Sequence, residues 1–493
     1  MTESATATST SEFSKADATD NASAPAPRSR PGWLLAIVLT GQFMALLDVF
    51  IVNVAAPTIR TELDAGGAEL QLIIAGYTIT YAVLLITGAR LGGILGHRRV
   101  FLAGLAVFTA ASLACGLAAD AGQLIAFRLV QGAGSALFIP QVLSLIQRTF
   151  TGPARVRALG WYAAVLATGA AAGQIVGGVL VSADLFGAGW RPVFLVNVPI
   201  GLALLALGLR LLPHDEAAPG AFGRAVRALD RGGLVLLAAV VSLFTVPLVL
   251  GQELGWPLWG WFSLAASALL AVVFAVHEAR LARRGGAPLF PPRVLRAPGM
   301  PVAAVRTGLS LAINGGFLLV ITLHVQGGLG YSALRSGLTL VPAAIGFGIT
   351  GLTWQRLPAR LQPLTVPFGF ALAAVASVGM GAVLRDGGDG GLAFYVAIAG
   401  VGAGLGLAFS PNLTLALATV RPEDAPHASG LLVTTAQLGI TVGVATIGTL
   451  YLNQLDAPGP AASADALWVA ALAQAAAAVA GMAAGIINRA RAR

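Results

Sequence analysis

The chain of 493 residues contains a single lysine, Lys15, and a single cysteine, Cys115. Without a second cysteine there is no disulfide framework and no CxxC metal site. Cys115 lies in the apolar run ASLACGLA and is expected to be a buried, inert thiol. With no lysine beyond the N-terminal tail a Walker A loop is impossible, and neither GxSxG nor HExxH occurs, so ATP hydrolysis and the common hydrolase sites have no carrier here. The five histidines show no metal-ligand spacing. No enzyme activity, metal or cofactor is expected. Charge is also scarce: 10% of residues are charged against about 25% in an ordinary soluble domain. With 57% hydrophobic residues and a mean hydropathy of +0.82, there is too little polar side chain to cover a globule. The chain is expected to be an all-α, multi-pass membrane protein.

Residues 1–30 are polar, small and low in complexity, without the basic start and apolar centre of a signal peptide, and are expected to be a disordered cytoplasmic tail. Runs of about 20 apolar residues then occur fourteen times: near 33–57, 70–95, 100–119, 123–147, 158–183, 191–212, 232–252, 258–279, 300–325, 335–356, 363–384, 391–420, 428–455 and 465–488. An even number of spans places both termini on one side. The arginines test that count. Only Arg60, Arg191, Arg335 and Arg385 fall in the segments opposite the N-terminus, and Arg90, Arg128 and Arg306 lie within spans. The rest of the 30 Lys and Arg lie on the N-terminal side, which is therefore expected to be cytoplasmic. The net charge of +9 is then a matter of topology and calls for no nucleic-acid partner.

The longest polar segments, 213–231 and 280–299, bracket spans seven and eight. The expected organisation is a six-helix bundle (31–212), a linker (213–231), a two-helix insert (232–279), a second linker (280–299), a second six-helix bundle (300–488) and a basic tail (489–493). Two six-helix halves with a site between them near the midplane are the parallel-repeat pattern of one large transporter class.

Polar residues inside the spans carry the functional information. Asp48, in ALLDVFIVNVAAP (45–57), lies fifteen residues past Trp33, about 22 Å of helix rise and slightly beyond mid-membrane. It is the one acid in the middle of any predicted span. A charge at that depth costs roughly 2.5–3.5 kcal/mol on the insertion scale, so Asp48 is expected to be paired, protonated part of the time, or both. Gly41, Ala45, Val52 and Ala55 share its helical face, a small-residue stripe suited to close packing or to a cavity. Arg128, in the fourth span, falls at a compatible depth with Gln131, Gly132 and Ser135 on its face. It either pairs with Asp48 or satisfies backbone carbonyls.

Arg306, about two turns into the ninth span, either snorkels to the interface or meets substrate. Asn314, Asn412 and Gln437 are mid-span candidates for a substrate cavity. Each can equally be a helix-to-helix hydrogen bond worth about 0.6 kcal/mol. His324 lies at the outer end of its span and His97, His214, His277 and His427 in cytoplasmic segments, where solvated rings are expected. Two glycine series recur every four residues, Gly88, Gly92, Gly96 and Gly169, Gly173, Gly177, a spacing that lets helix backbones approach closely.

Several stretches then line up in order: LDVFIVNVAAP in span one, RLVQGAGSALFIP in span four, GAAAGQIVGGVL in span five, WRPVFLVNVPIG at 190–201 and ASGLLVTTAQLG at 428–439. In these signatures Asp48, Asn53 and Pro57, then Arg128, Gln131, Gly132, Gly134 and Pro140, then Gly169, Gly173, Gly177 and Gly178 occupy the characteristic positions. The chain thereby resembles, over nearly its whole length after the tail, the fourteen-helix drug:proton antiporters of the major facilitator superfamily. Two departures stand out. In ARLGGILGHRR, which resembles the family's cytoplasmic gate signature and ends on Arg98 and Arg99, the usual aspartate is Gly93 and the following basic residue is Ile94. The usual proline of the fifth-span signature is Gln174.

The resemblance implies a major facilitator fold that exports hydrophobic or amphipathic, often cationic, small molecules by alternating access in exchange for protons. The driving force would be the proton gradient, the location the cell membrane with both termini cytoplasmic, and the working unit a monomer in the bilayer. It implies Asp48 as the group for which proton and substrate compete. Arg128, Gln131, Asn314, Asn412, Gln437 and Arg306 would serve as cavity or coupling partners, and the two glycine series with Gly178, Arg98 and Arg99 in gating and helix packing. An uptake carrier for a small metabolite, on the same fold, and a non-transporting receptor or scaffold are the competing readings. The antiporter-type glycine signature and the absence of any mid-span acid beyond Asp48 favour export.

Overall fold

In lipid the backbone must satisfy its own polar groups, and long apolar runs become helices. The computed structural model describes residues 31–184, 187–213, 230–251, 254–286, 288–421, 424–455 and 459–491. The tail at 1–30, most of the linker at 213–231 and residues 492–493 lie outside the described residues. The spans are α1 Pro31–Glu62, α2 Gly67–Leu95, α3 His97–Gly116, α4 Ala121–Thr149, α5 Gly152–Ala183, α6 (Pro192–Leu195 and Asn197–Leu211), α7 Arg231–Leu250 and α8 Leu258–Arg283. They continue with α9 Met300–Leu323, α10 (Ala333–Thr339 and Val341–Thr353), α11 Thr365–Val383, α12 Gly391–Ala418, α13 Ala425–Asn453 and α14 Pro460–Arg491.

Among the described residues 13 helices are by themselves long and apolar enough to cross a membrane. The fourteenth span is α5, whose stretches Gly152–Leu166 and Ala171–Ala183 are inclined by 44°. Its bend has local causes. The Thr168 hydroxyl donates back to the Ala164 carbonyl at 3.0 Å, and Gly169 follows; both features loosen a helix ladder.

The first six helices pack on one another, α4 against α2 and α3, and α5 against α1. In the second set α9 packs on α13, and α12 on α10 and α11. The halves meet where α5 lies along α10 and where α2 and α4 approach α13. The pair α7 and α8 sits outside this frame. Its α7 rests on α2 through Ala82, Ile86, Leu237 and Val241. Ser263 and Ser267 of α8 bond to the Leu243 and Val240 carbonyls of α7, both at 2.8 Å. Only 11% of the apolar window of α8 is buried, against 78% for α4. An apolar surface of that extent, with Leu258 and Phe262 largely bare, belongs against lipid tails.

Glycines set how closely the helices approach. A methyl group at Gly88 would overlap the Ala136 carbonyl of α4, and one at Gly92 the Gln141 side chain. Gly96 departs from the predicted stripe: it joins α2 to α3 at φ 98°, a left-handed conformation that glycine adopts without strain.

Candidate functional site: a buried ion pair in the first six helices

The buried face of α1 carries Gly41, Ala45, Asp48, Val52 and Ala55. Small side chains at these positions let neighbouring helices close around Asp48, which is 0% exposed. On the opposing α4, Arg128, Gln131, Gly132 and Ser135 are all buried. Arg128 Nη1 donates to Asp48 Oδ2 at 2.5 Å, and neither side chain is exposed at all. The structure therefore brings together the acid and the base whose depths match in the sequence.

The carboxylate of the pair sits in a filled shell, while Arg128 Nη2 is buried without a hydrogen-bond partner. Asp48 Oδ1 accepts from Gln131 Nε2 and from Asn197 Nδ2, both at 2.8 Å. Arg128 Nη1 also donates to Gln131 Oε1 at 2.7 Å, and its Nε donates to the Ile73 carbonyl of α2 at 3.0 Å. Gln131 in turn donates to Ser112 Oγ of α3 at 2.8 Å. The Arg128 guanidinium carbon lies 4.8 Å from the Tyr77 ring centroid and 5.7 Å from that of Phe194, so aromatic faces surround the cation. Tyr77 donates its hydroxyl to Ser135 at 2.8 Å. Five helices, α1, α2, α3, α4 and α6, thus meet on one ion pair.

Asn197, Ser112 and Tyr77 were not identified from the sequence as members of this shell. Asn197 lies in FLVNVP, where one amide in an apolar run is the available signal, and nothing in its spacing says that α6 turns it towards Asp48. The buried Trp190, edge-on to Phe194 at 5.8 Å between centroids, helps fix that helix start.

The glycines of α5 seat it against the same helix. A methyl at Gly169 would stand 2.6 Å from Leu46 Cβ, one at Gly173 2.8 Å from Phe50 Cβ, and one at Gly177 3.0 Å from Ile51 Cγ1. These α1 residues flank Asp48 on both sides. Gly178 instead faces Leu334 of α10, across the halves.

The remaining candidates lie elsewhere. Asn412, buried on α12, donates to the Ala303 carbonyl at 2.9 Å and to Thr307 Oγ1 at 3.1 Å on α9. Arg306 donates from Nε to the Gly481 carbonyl of α14 at 3.1 Å, tying two helices of the second half. Asn314 lines a narrow crevice with Ala171, Phe317, Leu340 and Phe347 where α5 meets the second half. Gln437 is half-buried on α13. Arg98 donates to the Leu209 carbonyl at 2.6 Å, and Arg99 is exposed.

Against the expectation of solvated histidines, His97 and His324 are buried, and His214 lies outside the described residues. His97 is 1% exposed and shares 2.8 Å with Gln141 Oε1, while His324 is 0% exposed and shares 2.7 Å with Ser463 Oγ. His324 opens a π-helical turn, His324–Gly328, that packs on α14, the helix that carries Ser463.

Gln174 takes a role that sequence reasoning missed. Its Nε2 donates to Thr322 Oγ1 at 3.0 Å and its Oε1 accepts from Ser336 Oγ at 3.1 Å, so one α5 side chain clasps α9 and α10. At the other end of the halves, Gln147 donates to Ser429 at 2.5 Å. Gln174→Leu leaves both hydroxyls without this partner and is expected to lower stability by about 1–3 kcal/mol, read from SDS-titrated unfolding in detergent.

A family model described as Major Facilitator Superfamily matches residues 38–305. The chain belongs to that superfamily. A probable actinorhodin transporter of Streptomyces coelicolor is 39% identical over 90% of this chain and 76% of its own length. The cephamycin export protein CmcT of Amycolatopsis lactamdurans is 37% identical over 84% of each chain. In three dimensions the human organic anion transporter MFSD10 superposes with a TM-score of 0.64 at 14% identity, over 92% of this chain and 99% of its own; at that identity the likeness concerns the fold. The protein is a multi-pass membrane transporter with the major facilitator fold, and not an enzyme.

Proposed function

We propose that this transporter exports lipophilic or amphipathic small molecules from the cytoplasm in exchange for protons, and that Asp48 is the coupling group. The observation that carries this reading is the buried pair: a carboxylate and a guanidinium, both wholly out of solvent, held by Gln131 and Asn197. The cephamycin export protein among the relatives supports the direction.

The chemistry follows from charge. With Asp48 ionised, the pair is neutral and both carboxylate oxygens are hydrogen-bonded. Adding a proton removes the counter-charge and leaves Arg128 buried alone, a state that costs several kcal/mol. The helices must then rearrange to admit water or a new partner, and a substrate that favours the ionised arrangement competes with the proton. Direct contact of substrate with Asp48 first requires this shell to open, because both carboxylate oxygens are already engaged. Two discrete arrangements of one core, biased by a proton and by a substrate, are what alternating access needs.

The excess of arginine at one end of the spans supports cytoplasmic termini in the cell membrane. The organisation that fits is two six-helix bundles, 31–212 and 300–488, with the two-helix insert 232–279 between them and a monomer as the working unit. The crevice at Asn314 lies between halves, where substrate is expected to pass. The test is retention of ethidium, a fluorescent lipophilic cation, by cells lacking their own pumps. Expression should lower the retained dye several-fold, and collapse of the proton gradient should restore it. A rise in retention on expression would indicate uptake instead.

A further inference from the structure

Where α2 and α13 converge, at the end of the spans that carries Arg98 and Arg99, lies a cavity of about 210 Å³. Its walls are apolar, with Ile86 and Ile94 of α2 and Leu289 and Phe290 of the segment leading into α9. Two polar side chains, Arg90 and His427, line it and also line an adjoining opening of about 450 Å³.

Among the described residues no carboxylate lines this cavity or the adjoining opening. Arg90 Nη1 meets His427 Nε2 at 2.8 Å and its Nη2 bonds to the Pro288 carbonyl. Among the described residues no carboxylate lies within ion-pair distance of Arg90. Two acids, Glu278 and Asp230, lie near enough for their charge to reach Arg90 without touching it. Glu278 Oε2 accepts from the Phe290 amide at 2.9 Å, and Asp230 from His277 at 3.0 Å and from the Gly233 amide at 2.8 Å. Arg293, at the rim, is paired with Asp424 at 2.7 Å. An arginine only donates, so His427 Nε2 is the acceptor and the ring proton resides on Nδ1. That Nδ1 is buried with no hydrogen-bond partner. Gly93 adds space: it lines the cavity, and a methyl group there would meet no atom within 4 Å.

We propose that this cavity binds the headgroup of an acidic membrane phospholipid, its phosphate taking the free N–H groups of Arg90. An anion there gives Arg90 a charged partner in direct contact, where its present partners are a histidine nitrogen and the Pro288 carbonyl. The apolar walls at Ile86, Ile94 and Phe290 suit an acyl chain, and the position at the end of the spans is where phosphates of a bilayer lie. A lipid seated there touches α2 of the first half, α13 of the second and the segment that follows the insert. Its occupancy holds the two halves together at this end.

The test is thermal unfolding of the purified full-length protein in neutral detergent. Dioctanoyl phosphatidylglycerol is compared with dioctanoyl phosphatidylcholine and with inorganic phosphate. Phosphatidylglycerol is expected to raise the melting temperature, while the zwitterionic lipid and free phosphate leave it unchanged. In Gly93→Asp, which puts a carboxylate into open space beside Arg90, and in Arg90→Gln, at least tenfold more phosphatidylglycerol should be needed for the same shift. Gly93→Asp decides the matter if Arg90→Gln does not fold. A wild-type response to phosphatidylglycerol in Gly93→Asp, or an equal response of the wild type to phosphatidylcholine, overturns the proposal. An equal response to inorganic phosphate overturns the lipid assignment in favour of a free anion.

Discussion

Arg128→Met should destabilise the protein by about 3–5 kcal/mol, the cost of leaving one member of a buried ion pair without the other. Three features set that size. Asp48 has no access to solvent, so water cannot replace the guanidinium. Gln131 and Asn197 can still donate to Oδ1, but neither brings positive charge. The Ile73 carbonyl also loses its donor from Arg128 Nε. The double substitution Asp48→Asn/Arg128→Met should recover a large part of the loss, because no charge remains buried. SDS-titrated unfolding of the two single variants and the double variant gives the coupling energy directly. Additive losses would mean that the two side chains act independently, against the 2.5 Å contact.

The second large effect concerns pH. If a proton and a substrate compete for the ionised arrangement of Asp48, substrate affinity rises with pH. The sign follows from linkage: binding to the deprotonated form strengthens as protons become scarce, by up to tenfold per pH unit for one proton displaced. Across two pH units centred on the titration of the coupling group, the wild-type dissociation constant for ethidium should fall about tenfold. In Asp48→Asn, which keeps the size of the side chain and loses the titration, affinity should be flat with pH. Fluorescence titration of purified protein from pH 5.5 to 8.5 checks this. A mutant with the wild-type pH profile would place the titrating group elsewhere.

How much of this was legible beforehand depends on the kind of information involved. The spans were readable because each is a run of apolar residues long enough to cross a bilayer, and the arginine alternation fixed their number. The approach of Asp48 to Arg128 was readable as matched depth, since helix rise converts residue number into distance along a span. Rotation and lateral neighbours are not encoded that simply. Asn197 looks like an isolated amide in an apolar run, and only the packing of α6 on α1 and α3 aims it at Asp48. Arg306 and Asn412 looked like cavity candidates by depth, and the structure turns both towards helix contacts within the second half. Gln174 was visible as a departure from the signature. Its clasp on Thr322 and Ser336 depends on how α5 meets α9 and α10, which no single helix pattern reveals. His324 was misjudged because depth along α9 does not reveal that its ring meets Ser463 of α14.

The gate signature shows the same division. Gly93 and Ile94 were legible as missing charges, yet the cavity they border exists only because α13 and the segment before α9 close over that face of α2.

The most direct measurement is ethidium uptake into inside-out membrane vesicles with an imposed proton gradient, wild type beside Asp48→Asn at matched expression. Uptake that is driven by the gradient in the wild type, abolished by its collapse, and absent in Asp48→Asn is the predicted result. Gradient-driven uptake by Asp48→Asn at the wild-type rate would contradict it, and would make the buried pair a packing element of the first six helices.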